Sequence, residues 1–151
     1  MSTPAEPVVR PPGPVQGSFW VLIVSAAVRV IFAVITVATW TAFTNAQLRG
    51  PLPPHTTVVQ ARSAIHTYLL VNIVLDALFA AAYVLLAYQI RAGRNWARLT
   101  ITTIVVLFGL FDIFTGANGT TLAIVVVELV GVALLWLPQS RAFFAPDRTL
   151  A

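Results

Sequence analysis

The sequence predicts an all-α polytopic membrane protein: four transmembrane helices in a bundle, with the N- and C-termini both cytoplasmic. Three observations predict it. The 151 residues are 58% hydrophobic and only 9% charged, whereas a water-soluble domain averages about 25% charged residues. The apolar residues gather into four runs whose lengths match a hydrocarbon core of roughly 30 Å. The cations outside those runs are also unevenly shared between the two sides that a four-span topology creates.

Residues 1–16 hold five prolines and a single cation, Arg10. They read as a Pro-rich, disordered cytoplasmic tail. They are not a secretory signal, because the apolar run that follows is about 25 residues long and a signal core is about 7–15. Residues 17–138 then form the transmembrane domain, with spans at about 18–43, 64–90, 97–115 and 120–137. Continuous apolar runs of this length read as helices, since an open strand in lipid leaves its backbone groups unsatisfied. Residues 45–63, with Pro51, Pro53 and Pro54, read as an extramembrane loop. Residues 91–96 are a short basic turn, and Gly116-Ala117-Asn118-Gly119 a tight connection that makes the last two spans an antiparallel hairpin. Pro138 is expected to stop the fourth helix, leaving 139–151 as a short cytoplasmic tail.

Orientation follows from the arginines. With the N-terminus inside, Arg10, Arg91, Arg94, Arg98, Arg141 and Arg148 are cytoplasmic, and only Arg49 and Arg62 lie outside. Cytoplasmic loops carry the excess of cations, so this arrangement is favoured over its inverse. The tryptophans agree, with Trp20, Trp96 and Trp136 as interfacial anchors at the inner edge and Trp40 at the outer one. The chain is expected in the cytoplasmic (inner) membrane, multi-pass.

Within its ends each span carries one Arg, Asp or Glu: Arg29, Asp76, Asp112 and Glu128. A charge at the centre of a membrane helix costs about 2.5–3.5 kcal/mol on insertion scales, so such a group faces protein and has a partner. By helical rise, Arg29, Asp76 and Glu128 share the midplane region. Their neighbours three and four residues away include Ser25, Ala26, Ala33, Asn72, Ala80 and Gly131, the small and polar types that let membrane helices approach. A buried polar cluster of Arg29, Asp76, Glu128 and Asn72 is therefore expected to organise the bundle. Arg29 pairs with Asp76 or with Glu128, whose depth is symmetric about the midplane. Asp112 lies nearer the outer face and is a candidate partner for Arg49 or Arg62.

Several classes of function are excluded or unsupported. There is no Cys, hence no disulfide, thiolate metal site or CxxC redox chemistry. The net charge of +4 sits at membrane edges, where orientation accounts for it without nucleic acid. His55 and His66 are the only histidines, too few and too poorly placed for a bis-His haem. No Ser–His–Asp order, HExxH, P-loop or GxGxxG motif is present. No catalytic residue, metal or cofactor is expected, and the chain reads as a non-enzyme.

Three segments at the membrane edges, Arg10-Pro-Pro-Gly-Pro-Val15, Arg91-Ala-Gly-Arg-Asn-Trp-Ala-Arg98 and Leu137-Pro-Gln-Ser-Arg-Ala-Phe-Phe144, resemble those of a group of small actinobacterial four-helix integral membrane proteins. The resemblance implies location and carries no activity with it. With short extramembrane segments, partners must be met in the lipid bilayer. The expected role is an accessory or interaction subunit of a larger membrane complex. The alternative is a small proton-coupled transporter working as a homodimer, which would use whichever midplane carboxyl Arg29 leaves over.

Overall fold

The computed structural model of the chain describes residues 10–114 and 119–145, leaving aside the side chains of Asp112, Thr120 and Thr121. These residues form five helices: α1 (Gly13–Leu48), α2 (Val58–Arg91), α3 (Asn95–Phe114), α4 (Gly119–Leu134) and the short α5 (Pro138–Phe143). No strand occurs among the described residues. Helices α1 and α2 are each long and apolar enough to cross a membrane, and α3 and α4 contain shorter apolar stretches.

α1 and α2 overrun their apolar runs, because their ends are set by local backbone chemistry. α1 begins at Gly13, inside the segment expected to be a disordered tail. Pro14 falls in its first turn, where a missing N–H is no loss and the fixed φ already suits a helix. The Gln16 N–H then bonds the Pro12 carbonyl at 3.1 Å, and Val15 is fully buried. At its other end α1 tightens through bonds from Arg49 N to Ala46 O and from Gly50 N to Gln47 O.

The connection to α2 is consequently shorter than the 45–63 loop, spanning residues 49–57. It turns through a bond from Thr56 N to Pro53 O, with His55 in the left-handed region at φ 63°. Thr57 and Gln60 set the start of α2. The Gln60 N–H donates to Thr57 Oγ1 at 3.2 Å, while the Thr57 N–H donates back to Gln60 Oε1 at 2.9 Å. That reciprocal box satisfies two otherwise orphaned donors.

α2 ends in a Schellman turn, with Arg94 N bonding Gln89 O at 3.1 Å and Gly93 N bonding Ile90 O at 2.9 Å. Gly93 supplies the left-handed residue at φ 78°, and the Phe143 ring lies 3.4 Å from where a Cβ would stand. Pro138, expected to end the fourth helix, instead opens α5: α4 has already stopped at Leu134. Ser140 Oγ–H donates to the freed Leu134 carbonyl at 2.7 Å. The segment read as the beginning of a tail is thus a docked helical turn, with Ser140, Phe143 and Phe144 buried. The Gly116–Asn118 part of the expected hairpin turn lies outside the described residues.

Two compact units can be distinguished. One unites the residues up to Ile23 with those from Leu85 onward; the other is Val24–Val84. In the first, α3 and α4 pack antiparallel, with Gly109 against Val125 and the Trp136 indole N–H donating to Thr102 Oγ1 at 3.1 Å. The start of α1 runs antiparallel to the end of α4, Gly17 meeting Leu134 and Gly131 meeting Val21. Phe19 meets Tyr88 edge-on at 5.6 Å. The second unit is a two-helix hairpin whose loop end is marked by the Trp40 and His66 rings, 5.2 Å apart.

The buried residues are mostly apolar, yet polar groups join them while large apolar side chains cover much of the surface. Ser18, Ser25, Thr44, Glu128 and Ser140 are buried, while Val30, Val34, Val37, Leu70, Val74 and Leu78 are exposed. In water, apolar surface of this extent is rare on a monomer. Lipid is as apolar as these side chains and imposes no such penalty on them.

Candidate functional site

The Val24–Val84 hairpin holds the most distinctive chemistry. Arg29 on α1 and Asp76 on α2 face each other, with Nη1 3.8 Å from Oδ1. The guanidinium also lies over two aromatic rings of α2, 5.3 Å from the Phe79 centroid and 5.1 Å from that of Tyr83. Asp76, Phe79 and Tyr83 are spaced three and four residues apart, so one stripe of α2 presents a carboxylate and two ring faces to the same cation. A guanidinium is weakly hydrated, planar and permanently charged, which suits both kinds of partner at once.

The site is incompletely covered by the chain itself. The Arg29 and Asp76 side chains keep 21% and 27% of their surface. Just beyond the pair is an open apolar groove of about 390 Å³, lined by Val30, Ala33, Val37 and Ala38 of α1 and Ile73 and Ala77 of α2. With Val34 of α1 the lining is seven residues, three of them alanines. Small side chains leave room for another helix backbone to come close, while the adjoining charge gives such a helix something polar to recognise.

The remaining expected site residues fall as follows. Asn72 is half-buried and donates its amide to the Tyr68 carbonyl of its own helix at 2.8 Å. Glu128, at 3% exposure, is buried in the first unit. The Asp112 side chain lies outside the described residues, and with it the expected pairing to Arg49 or Arg62. Of the four expected anchors, Trp20 and Trp96 are exposed and Trp40 and Trp136 half-buried. Among the described residues no three His, Asp or Glu side chains gather as a metal site.

Two features escaped the sequence reading. Phe79 was not singled out, although its spacing of three from Asp76 places it on the same stripe. The second is a cluster around Arg98, where the guanidinium lies 4.3 Å from the Trp136 ring centroid and 5.1 Å from that of Phe144. Nothing in sequence spacing signals it, because its members come from α3, the α4–α5 turn and the end of α5. Comparison with protein-family models, with curated proteins and with solved structures finds no match, so the chemistry rests on this geometry alone.

Proposed function

We propose that the chain is a four-span protein of the cytoplasmic membrane, with both termini inside, that serves without catalysis as an accessory or interaction subunit of a larger membrane assembly. The observation that carries this reading is the partly covered Arg29–Asp76 pair at the mouth of the alanine-lined groove. An ion pair left open to hydrocarbon is expensive, and intramembrane charges face protein or a water-filled cavity. A helix from a neighbouring subunit, laid in the groove, would bury the exposed flank and offer polar atoms to Arg29. The exposed apolar surfaces of α1 and α2 support the membrane setting, and the six-to-two distribution of Arg outside the apolar runs supports the orientation.

Purification from native membranes in a mild detergent tests the reading. The chain is expected to elute with other polypeptides at fixed stoichiometry, and Arg29→Leu is expected to dissociate them. Elution as a homodimer that conducts protons in vesicles would transfer the case to the transporter alternative. Elution as a bare monomer would refute both.

A further inference from the structure

At the inner end of the first unit two guanidiniums lie near each other, and among the described residues no carboxylate pairs with either. Arg98 lies in the first turn of α3, between the Trp136 and Phe144 rings. Its Nε and Nη1 are buried and find no hydrogen-bond acceptor. The rings offer their π faces to the charge, yet they leave the N–H groups in their own plane unsatisfied. No carboxylate pairs with Arg98 among the described residues. The charge that bears on it is that of Arg141, another cation.

The arrangement is braced. The Trp136 indole N–H donates to Thr102 Oγ1 at 3.1 Å, and Thr102 Oγ1–H donates to the Arg98 carbonyl at 2.7 Å, so ring and guanidinium are tied to the same turn of α3. Arg141 Nε–H donates to the Trp136 carbonyl at 3.1 Å, which fixes the second cation beside the first. Arg141 itself is exposed. Two like charges held together by a fixed scaffold repel each other. An anion bound from the exposed Arg141 side would relieve that repulsion.

We propose that Arg98 and Arg141 form a receptor for the phosphate of an anionic phospholipid headgroup, with Trp136 at the level of the glycerol backbone. Guanidinium groups match phosphate oxygens in pairs, and Trp places its amphipathic ring at the headgroup level. Arg91 and Arg94, a few residues upstream of Arg98, add to the local positive charge. The proposal rests on the membrane reading above.

The test uses the full chain in mild nonionic detergent, titrated with mixed micelles of phosphatidylglycerol or of phosphatidylcholine. Each basic residue near an anionic surface contributes about five-fold to binding, so phosphatidylglycerol is expected to bind well over ten-fold tighter. Arg98→Gln with Arg141→Gln should abolish that preference. Arg141→Gln alone, at an exposed position where folding is not at stake, should cut it about five-fold. Arg98→Lys should retain more of it than Arg98→Gln, and Arg62→Gln in the other unit should leave it unchanged. A preference that survives the double substitution overturns the proposal. So does competition by millimolar inorganic phosphate as effective as that of the lipid, which would mark a site for free phosphate. Carbonate washing of membranes separates the two readings: release of the chain defeats the membrane assignment, whereas retention without lipid preference defeats this site alone.

Discussion

Removing the positive member of the Arg29–Asp76 pair should destabilise the chain by an amount that geometry bounds. Two unit charges 3.8 Å apart attract by about 4 kcal/mol at an effective dielectric constant near 20. Both side chains keep roughly a quarter of their surface, so water reaching the pair in mixed micelles reduces that figure to about half. The Phe79 and Tyr83 faces add about 0.5–1 kcal/mol each. Arg29→Leu is therefore expected to cost about 2–4 kcal/mol, most of it from the stranded Asp76 carboxylate. Asp76→Asn should cost somewhat less, since the cation keeps its two rings. The double variant should be little worse than either single one, giving a coupling of about 1.5–3 kcal/mol. The assay is reversible unfolding in mixed micelles, with helix content read by circular dichroism as the denaturing detergent fraction rises. Glu128→Gln, taken through the same cycle, measures the other candidate carboxyl on the same scale. Strict additivity of Arg29→Leu and Asp76→Asn would refute the pairing. Unchanged stability in Arg29→Leu alone would show that the cation serves something outside the chain.

Other consequences can be checked more briefly. A Cβ at Gly131 would stand 2.5 Å from Val21 Cγ1 and 3.0 Å from its Cβ, and a β-branched side chain in a helix has one preferred rotamer and no room to swing away. Gly131→Ala should thus destabilise by about 1–2 kcal/mol despite its better helix propensity, and Val21→Ala should relieve most of that loss. If Gly131→Ala stabilises the chain, the close approach of α1 and α4 is wrong. At Gly93 the penalty is conformational, since φ is 78°; Gly93→Ala should cost about 1 kcal/mol, measured by the same unfolding curve. Reporter fusions after Ala151 and within residues 49–57 should label opposite sides of the membrane, and labelling on one side would contradict four spans.

Helix identity was legible in the sequence because long apolar runs leave the backbone no alternative. Helix ends were less so. The reading weighted hydrophobicity, whereas the ends follow hydrogen bonds that polar residues make beyond the apolar core, as Thr57 and Gln60 do at the start of α2. Pro138 shows the same problem: a proline beside an apolar run can close one helix or open the next, and only the Ser140–Leu134 bond decides it. At the candidate site, the ionisable types and their helix-face neighbours were readable from spacing alone. That Arg29 meets Asp76 was not, since spacing offers Glu128 equally until α1 and α2 are placed side by side. The Arg98 cluster was invisible for a different reason. In the sequence its arginines count only as inner-edge charges, and their common scaffold at Trp136 exists only once α4 and α5 have turned back onto α3.

The most direct test of a partner in the groove uses a property of the sequence itself. The chain contains no Cys, so Ala38→Cys and Ala77→Cys each place a unique thiol in the groove lining. Short bifunctional thiol- and photo-reactive linkers would be applied to intact native membranes, and the products identified by mass. The account predicts that both positions cross-link efficiently to a different polypeptide, and that Arg29→Leu abolishes the product. Cross-links only to a second copy of the chain would favour the homodimer, and a groove that reacts with lipid alone would contradict the proposed role.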